Sequence, residues 1–165
     1  FRSLYAFLSA RGLRWTTHVH APVFTVDEAQ ALRGAVPRLH SKNLFLEDRK
    51  GGLWLVVARE DLAVDLNALA KALNAPRFSF GKPETLARVL GILPGSVTPF
   101  ALMNDAGALV RTVFDEGLMA GDMVNFHPLR NDRTTSITPA ALLAFALATN
   151  HAPLVLRLPE RKTSA

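Results

Sequence analysis

The chain has 165 residues, 49% of them hydrophobic and 20% charged, which is the composition of one globular domain and too apolar for a disordered chain. It has no cysteine, which excludes disulfides, thiolate metal centres and a cysteine nucleophile. Nineteen Lys and Arg against fourteen Asp and Glu give a formal charge of +5, a surface that attracts polyanions, nucleic acid first among them.

The longest apolar runs, such as Leu53 to Ala58 and Ala140 to Ala148, are too short to cross a bilayer, so no membrane partner is expected. The start, Phe1-Arg2-Ser3-Leu4-Tyr5, lacks the basic-then-apolar order of a secretory leader, and a cytoplasmic protein is expected. The first residue is Phe rather than Met, which leaves room for preceding residues. No repeat or linker divides the chain. One domain is expected over 1–158, with a loose polar tail over 159–165.

In chain order, residues 2–11 read as a short helix with Leu4, Phe7 and Leu8 on one face, stopped by Gly12. Trp15 to His20 reads as a strand. Thr25 and Glu28 have capping-box spacing and open a helix. Leu39 to Glu47 and Leu53 to Arg59 read as two strands of a hairpin turning at Arg49-Lys50-Gly51-Gly52. The second strand is apolar on both faces, as a central strand covered on both sides must be. Asp65 caps a helix whose Leu66, Leu69, Ala70 and Leu73 form an apolar stripe. Pro83 and Glu84 open another helix, through Leu90. Val97 to Met103 and Leu109 to Phe114 flank Asn104-Asp105-Ala106-Gly107 and are expected to form a second hairpin. Met123 to His127 and Thr134 to Thr138 read as strands. Thr138-Pro139 starts a helix running to about Thr149, with Pro at the first helical position. Leu154 to Leu158 reads as a last strand. Interspersed helices and hairpin-linked strands predict one α+β domain, a mixed and mostly antiparallel sheet flanked by helices.

The nucleotide-binding, zincin and serine-hydrolase motifs are absent, and no cofactor is expected. His18 and His20 share a face of a strand, a spacing that permits joint metal ligation. No Asp or Cys nearby completes a site, so two partly exposed polar residues beside a turn is the favoured reading, with no metal. Lys42, in Ser41-Lys42-Asn43-Leu44-Phe45-Leu46, enters an apolar strand. Facing a pocket it would anchor phosphate or developing negative charge; at a strand end it would simply reach water. Gly95-Ser96-Val97-Thr98-Pro99 can free backbone N–H groups to converge on an oxygen, or serve as an ordinary turn. His127-Pro128 leads into Leu129 to Thr135, a loop that could bring an imidazole, an amide and hydroxyls to one pocket or satisfy itself locally.

Taken together, these segments resemble the bacterial prolyl-tRNA synthetase editing-domain (YbaK-like) family and its free-standing members. The matching pieces are His20-Ala21-Pro22-Val23-Phe24-Thr25, Ser41 to Leu46, Gly95 to Pro99, and Asn125-Phe126-His127-Pro128 with Asn131 and Thr134-Thr135. They span about residues 4–157, and Lys42-Asn43 with the GxxxP at Gly95 and Pro99 are the most specific. The chain looks most similar to the single-domain type that clears alanine from proline tRNA. The resemblance implies a strongly curved mixed sheet and hydrolysis of the ester between an amino acid and the terminal ribose of tRNA, without metal or cofactor. It implies Lys42, Gly95 and His127 as catalytic-site residues, with Lys42 on phosphate or on charge near the ester and the Gly95 loop offering backbone N–H groups to the scissile carbonyl, and it implies Ser96 and Pro99 as substrate-binding residues. Asn43 and His127 would hydrogen-bond the ribose or the α-amino group. Val23, Phe24, Leu44 and Phe45 would wall a pocket with room for one methyl group. Arg14, Arg38, Arg77, Arg130 and Arg133 are the candidates to hold the acceptor stem of proline tRNA and its CCA end. Prolyl-tRNA synthetase is a further candidate partner, and DNA is not expected. Two alternatives stay open: the same hydrolysis on cysteine, serine or threonine, and a non-enzymatic nucleic-acid-binding or synthetase-docking module.

Overall fold

A computed structural model of the chain describes residues 2–10, 12, 15–19, 39–94, 97–120, 124–126 and 133–161. In chain order these form α1 (Arg2–Ala10), β1 (Trp15–Val19), β2 (Leu39–Asp48), β3 (Leu53–Arg59), α2 (Leu66–Ala72), β4 (Phe78–Phe80) and α3 (Pro83–Leu90). A 3₁₀ helix (Pro99–Asn104), β5 (Val110–Asp115), α4 (Glu116–Met119), β6 (Val124–Phe126), β7 (Arg133–Ile137), α5 (Pro139–Ala148) and β8 (Leu154–Leu156) follow. The helix expected from Thr25 lies outside the described residues, as do His20 and the loop from His127.

The strands form one open sheet in the order β1-β7-β6-β2-β3-β5-β8, with β4 added to β2. Four pairings are antiparallel and three parallel, so the sheet is mixed with antiparallel pairs in the majority, within an α+β domain. The β2–β3 hairpin turns where the sequence places it, with Gly51 in the left-handed region at φ 82°. The buried Asp48 carboxylate accepts hydrogen bonds from the backbone N–H of Lys50 and Gly52 and from Trp54 Nε1, tying the turn to the sheet.

Strand β3 is buried from Leu53 to Ala58, and its alternation divides the interior. Leu53, Leu55 and Val57 face a core built with Leu8 of α1, Leu90 of α3, Phe100 and Leu102 of the 3₁₀ helix, and Phe145 of α5. Trp54, Val56 and Ala58 face a smaller core built with Leu69 and Ala70 of α2, Leu62, Val64, Phe78 and Leu158. The caps are those the sequence signals: Asp65 accepts from Ala68 N–H on α2, and Thr138 accepts from Ala141 N–H on α5.

One expectation is corrected. Val97 to Met103 is not a strand and forms no hairpin with Leu109 to Phe114. Thr98-Pro99 repeats the start signal of Thr138-Pro139, with Thr98 Oγ1 accepting from Phe100 N–H, and the chain coils into the 3₁₀ helix. Strand β5 then pairs parallel with β3 after a long crossover rather than turning back on its predecessor. Asp105, expected at the tip of that hairpin, instead closes a turn by accepting from Leu109 and Val110 N–H. After β8, Asp65 N–H donates to Pro159 O, Glu160 bridges Val64, and Arg161 N–H donates to Ala63 O at 2.7 Å; the rest of the expected tail, 162–165, lies outside the described residues.

His151 is buried, with Nε2 2.9 Å from Asp105 Oδ2 and Nδ1 3.0 Å from Thr149 Oγ1, which fastens the end of α5 to the turn before β5. Burial alone would raise the Asp105 carboxyl. The hydrogen bonds from His151, Val110 and Leu109 outweigh it and hold the group below its ordinary 3.8. Asp48 is lowered in the same way: its burial is outweighed by the Trp54, Gly52 and Lys50 bonds and the Arg111 charge.

Both carboxyls are lowered on folding, so the unfolded chain binds more protons as pH falls, and the stability they contribute is present above 3.8 and lost below it. Urea unfolding from neutral pH down to about pH 2.5 should show this loss. Asp105→Asn should cost about 1–3 kcal/mol at neutral pH and flatten the acid slope. An unchanged slope in that variant would remove Asp105 from the account.

Candidate functional site

The site grows from strand β2. Successive strand residues point to opposite faces, so Lys42, Leu44 and Leu46 share the α2 side while Asn43 and Phe45 share the other. Opposite Lys42 on β3 stands Ala58, whose small side chain leaves the lysine room. Lys42 and Leu44 are half-buried and line a pocket of about 420 Å³ with Asn67, Arg77, Phe80 and Arg161. The Lys42 ammonium is lowered from 10.5, first by burial and then by the charge of Arg161, with Asp61 and Glu60 acting against both.

On the opposite face, Asn43 Nδ2 donates to Val97 O at 2.9 Å. This bond fastens β2 to the segment leading into Thr98 and Pro99, both buried. Asn43 Oδ1 is buried and accepts no hydrogen bond among the described residues. Phe45, 5% exposed, belongs to the larger core. Its carbonyl accepts from Gly81 N–H, and a Cβ at Gly81 would run into its ring.

The two edges of β2 differ. One is paired with β3 from Ser41 to Glu47. The other meets β6 at Leu39 and His40 and β4 from Leu46 to Asp48. Between those contacts no described strand covers it.

The sequence-derived residues therefore divide. Lys42, Leu44 and Arg77 line one pocket; Asn43 and Pro99 lie on the other side of β2, and Phe45 is in the core. Leu44 and Phe45, as neighbours on a strand, cannot wall one pocket from the same side. Arg133 begins β7. Val23, Phe24, Gly95, Ser96, His127, Arg14, Arg38 and Arg130 lie outside the described residues. Phe80 and Arg161, which the sequence reading did not single out, line the Lys42 pocket.

Other cavities are electrostatically different. In a groove of about 520 Å³, Arg59 lies 3.6 Å from Asp115 and 3.7 Å from Asp61. In another, of about 410 Å³, Arg111 sits 5.1 Å above the Trp54 ring. The Lys42 pocket holds three cations, and Asp65, at its margin, spends its carboxylate on the α2 cap.

Residues 20–145 match the aminoacyl-tRNA editing domain family. The chain is 38% identical over 164 residues to prolyl-tRNA synthetase associated domain-containing protein 1 of Xenopus laevis, covering 94% of this chain and 95% of that protein. It is 33% identical over 138 residues to the prolyl-tRNA editing protein ProX of Acetoanaerobium sticklandii, covering 83% of this chain and 84% of that protein. Its fold is similar to the crystal structure of hypothetical protein APE2540, with a TM-score of 0.74 at 24% identity over 94% of this chain and 97% of that one. The chain belongs to the aminoacyl-tRNA editing domain family.

Among the described residues no helix is long and apolar enough to cross a membrane. The lowered Lys42 ammonium predicts that acetic anhydride labelling of Lys42, followed by mass spectrometry, reaches half its maximum at a lower pH than labelling of free Nα-acetyl-lysine. A half-point at or above that of the free amine would contradict the desolvated position.

Proposed function

We propose that the protein is a trans-editing deacylase that hydrolyses the ester of mischarged aminoacyl-tRNA, with alanine on proline tRNA as its substrate. The observation that carries this reading is Lys42: in a chain of the editing family, the lysine of the Ser41 to Leu46 segment stands half-buried in a cationic pocket, beside a strand edge that no described strand covers. The similarity to ProX, a prolyl-tRNA editing protein by name, supports the choice of tRNA.

On this reading water attacks the acyl carbon, the bond from that carbon to the ribose oxygen breaks, and the ribose oxygen takes a proton as free amino acid leaves. The neighbouring ribose hydroxyl orients the water. Lys42 supplies positive charge to the terminal phosphate or the ester oxygen, and proton abstraction is not asked of it. N–H groups from the Gly95 segment polarise the carbonyl. His127, and the part of the Asn43 amide not engaged with Val97, are the candidate partners for the ribose or α-amino group.

The logic of the reaction supports alanine. A synthetase site shaped for proline rejects a smaller residue weakly, because each missing methylene is worth only about 1–3 kcal/mol. A second site that excludes proline by size supplies the remaining discrimination. Arg77, on the rim of the Lys42 pocket, is the best-placed described candidate for the acceptor stem.

The test is single-turnover hydrolysis of alanyl-tRNA(Pro) beside prolyl-tRNA(Pro). Alanine should be released and proline spared. Lys42→Ala should be slower by about a hundredfold or more. Asn43→Ala, which loses the Val97 bond, should be slower by about tenfold. Release of cysteine, serine or threonine instead would reassign the substrate. No release of any of them by folded protein would leave a nucleic-acid-binding module.

A further inference from the structure

We propose that Phe80 and Arg161 complete, with Lys42 and Arg77, a nucleotide subsite in which the cations hold phosphates of the RNA 3′ end and the Phe80 ring stacks a base. The proposal rests on the editing reading for its ligand, a single-stranded ribonucleotide end, and assigns two residues to it that neither the motifs nor the comparisons mark.

Phe80 is 66% exposed on a three-residue strand. Its register partner is Leu46, so it shares the sheet face of Lys42 and Leu44. Two residues earlier, Phe78 points the same way but is buried, edge-on to Trp54 with ring centroids 5.5 Å apart. Phe78 anchors the strand and Phe80 is left in water at the pocket rim. An aromatic held out beside Arg77 is the platform-plus-cation arrangement by which proteins take single-stranded nucleic acid. The Lys42 and Leu46 positions are four residue steps apart along β2, about 13 Å.

Arg161 comes from the far end of the chain, yet its backbone is fixed by the N–H bond to Ala63 O and by the Glu160–Val64 bridge. The segment it ends runs beside the N-terminal approach to α2 and delivers the guanidinium to the pocket wall. Its charge bears on the Lys42 ammonium. Of the nearby carboxylates, Asp65 caps α2, Asp61 lies 3.7 Å from Arg59, and Asp61 and Glu60 offset part of the effect of Arg161 on Lys42. A convergence of three cations on one pocket is what a phosphodiester would neutralise.

Binding is measured with uncharged RNA, so that no hydrolysis enters. The probes are a hairpin carrying the acceptor stem of proline tRNA with its CCA end and the same hairpin lacking CCA. Phe80→Ala should weaken binding of the CCA hairpin about tenfold and leave the shortened one unchanged. Arg161→Ala should flatten the dependence of log affinity on log salt by about 0.7 for the CCA hairpin, and Arg161→Lys should restore it. Both side chains are exposed at the pocket rim and the Arg161 backbone bond survives substitution, so thermal midpoints should match the parent. Equal losses on the two hairpins, no loss on either, or no preference of the parent protein for CCA would overturn the proposal. Active deacylase with unaltered binding in both variants would sink the subsite alone; CCA-dependent losses in a protein that hydrolyses nothing would keep the subsite and sink the catalytic reading.

Discussion

Strand β2 is hydrogen-bonded to β3 along one edge and to β6 and β4 only at the two ends of the other, and this unequal pairing governs the architecture of the site. A strand paired on both edges throughout would offer only its side chains. A strand free along a whole edge would be mobile and open to pairing with another chain. Pinning both ends holds the intervening residues in place, and no described strand covers the stretch of edge between them. The register with β3 fixes which side chains face which side, and a slip of one residue would move Lys42 into the larger core and Phe45 into the pocket. The Asp48 staple at the hairpin turn and the Gly81 bond to the Phe45 carbonyl both bear on that register.

The charge arrangement carries a cost that folding alone does not explain. Lys42 loses hydration on entering the sheet, and Arg161 adds repulsion. Elsewhere in the same domain, cations meet partners: Arg59 beside Asp115 and Asp61, Arg111 over Trp54. A group destabilised in the free protein and relieved by an anion contributes that relief to binding, so three cations gathered in one pocket are a physical reason to look there for a polyanion. The exposed Phe80 ring fits the same logic, as apolar surface left in water beside the cations.

Much of this was legible in the sequence. Asp65, Thr138-Pro139 and the Arg49 to Gly52 turn each carry a local stereochemical signal, and each element stands where its signal puts it. The double-faced apolar run of β3 announced a central strand because burial on both faces leaves no position for a polar residue. The failures share a cause. Val97 to Met103 has the apolar content of a strand, and tertiary burial of a 3₁₀ helix makes the same demand on composition; only Thr98-Pro99 told them apart. Lys42 stood out because a charge interrupted an apolar run. Arg161 did not, since a basic residue near a chain end looks like any solvated terminus until the backbone bonds to Ala63 and Val64 bring it across the molecule. Pairings of that range have no local signature.

The two faces of β2 also suggest how an editing site divides its labour. Holding a nucleic acid end calls for charge and stacking, which tolerate small displacements and are best built from long side chains at a rim. Telling alanine from proline calls for excluding a ring by a few tenths of a nanometre, which tolerates little displacement and is best built from backbone and packed groups. On the proposed reading the first task falls to the Lys42 side, where Arg77, Phe80 and Arg161 gather. The second falls to the side where Asn43 is bonded to Val97 and where Thr98 and Pro99 are buried. On that reading a substrate laid across the edge that no described strand covers would meet both, and the Asn43–Val97 bond would link the excluding wall to the strand that carries the anchoring lysine. Loosening that bond would then relax selectivity before it weakened attachment, because the two are carried by opposite faces of one rigid strand.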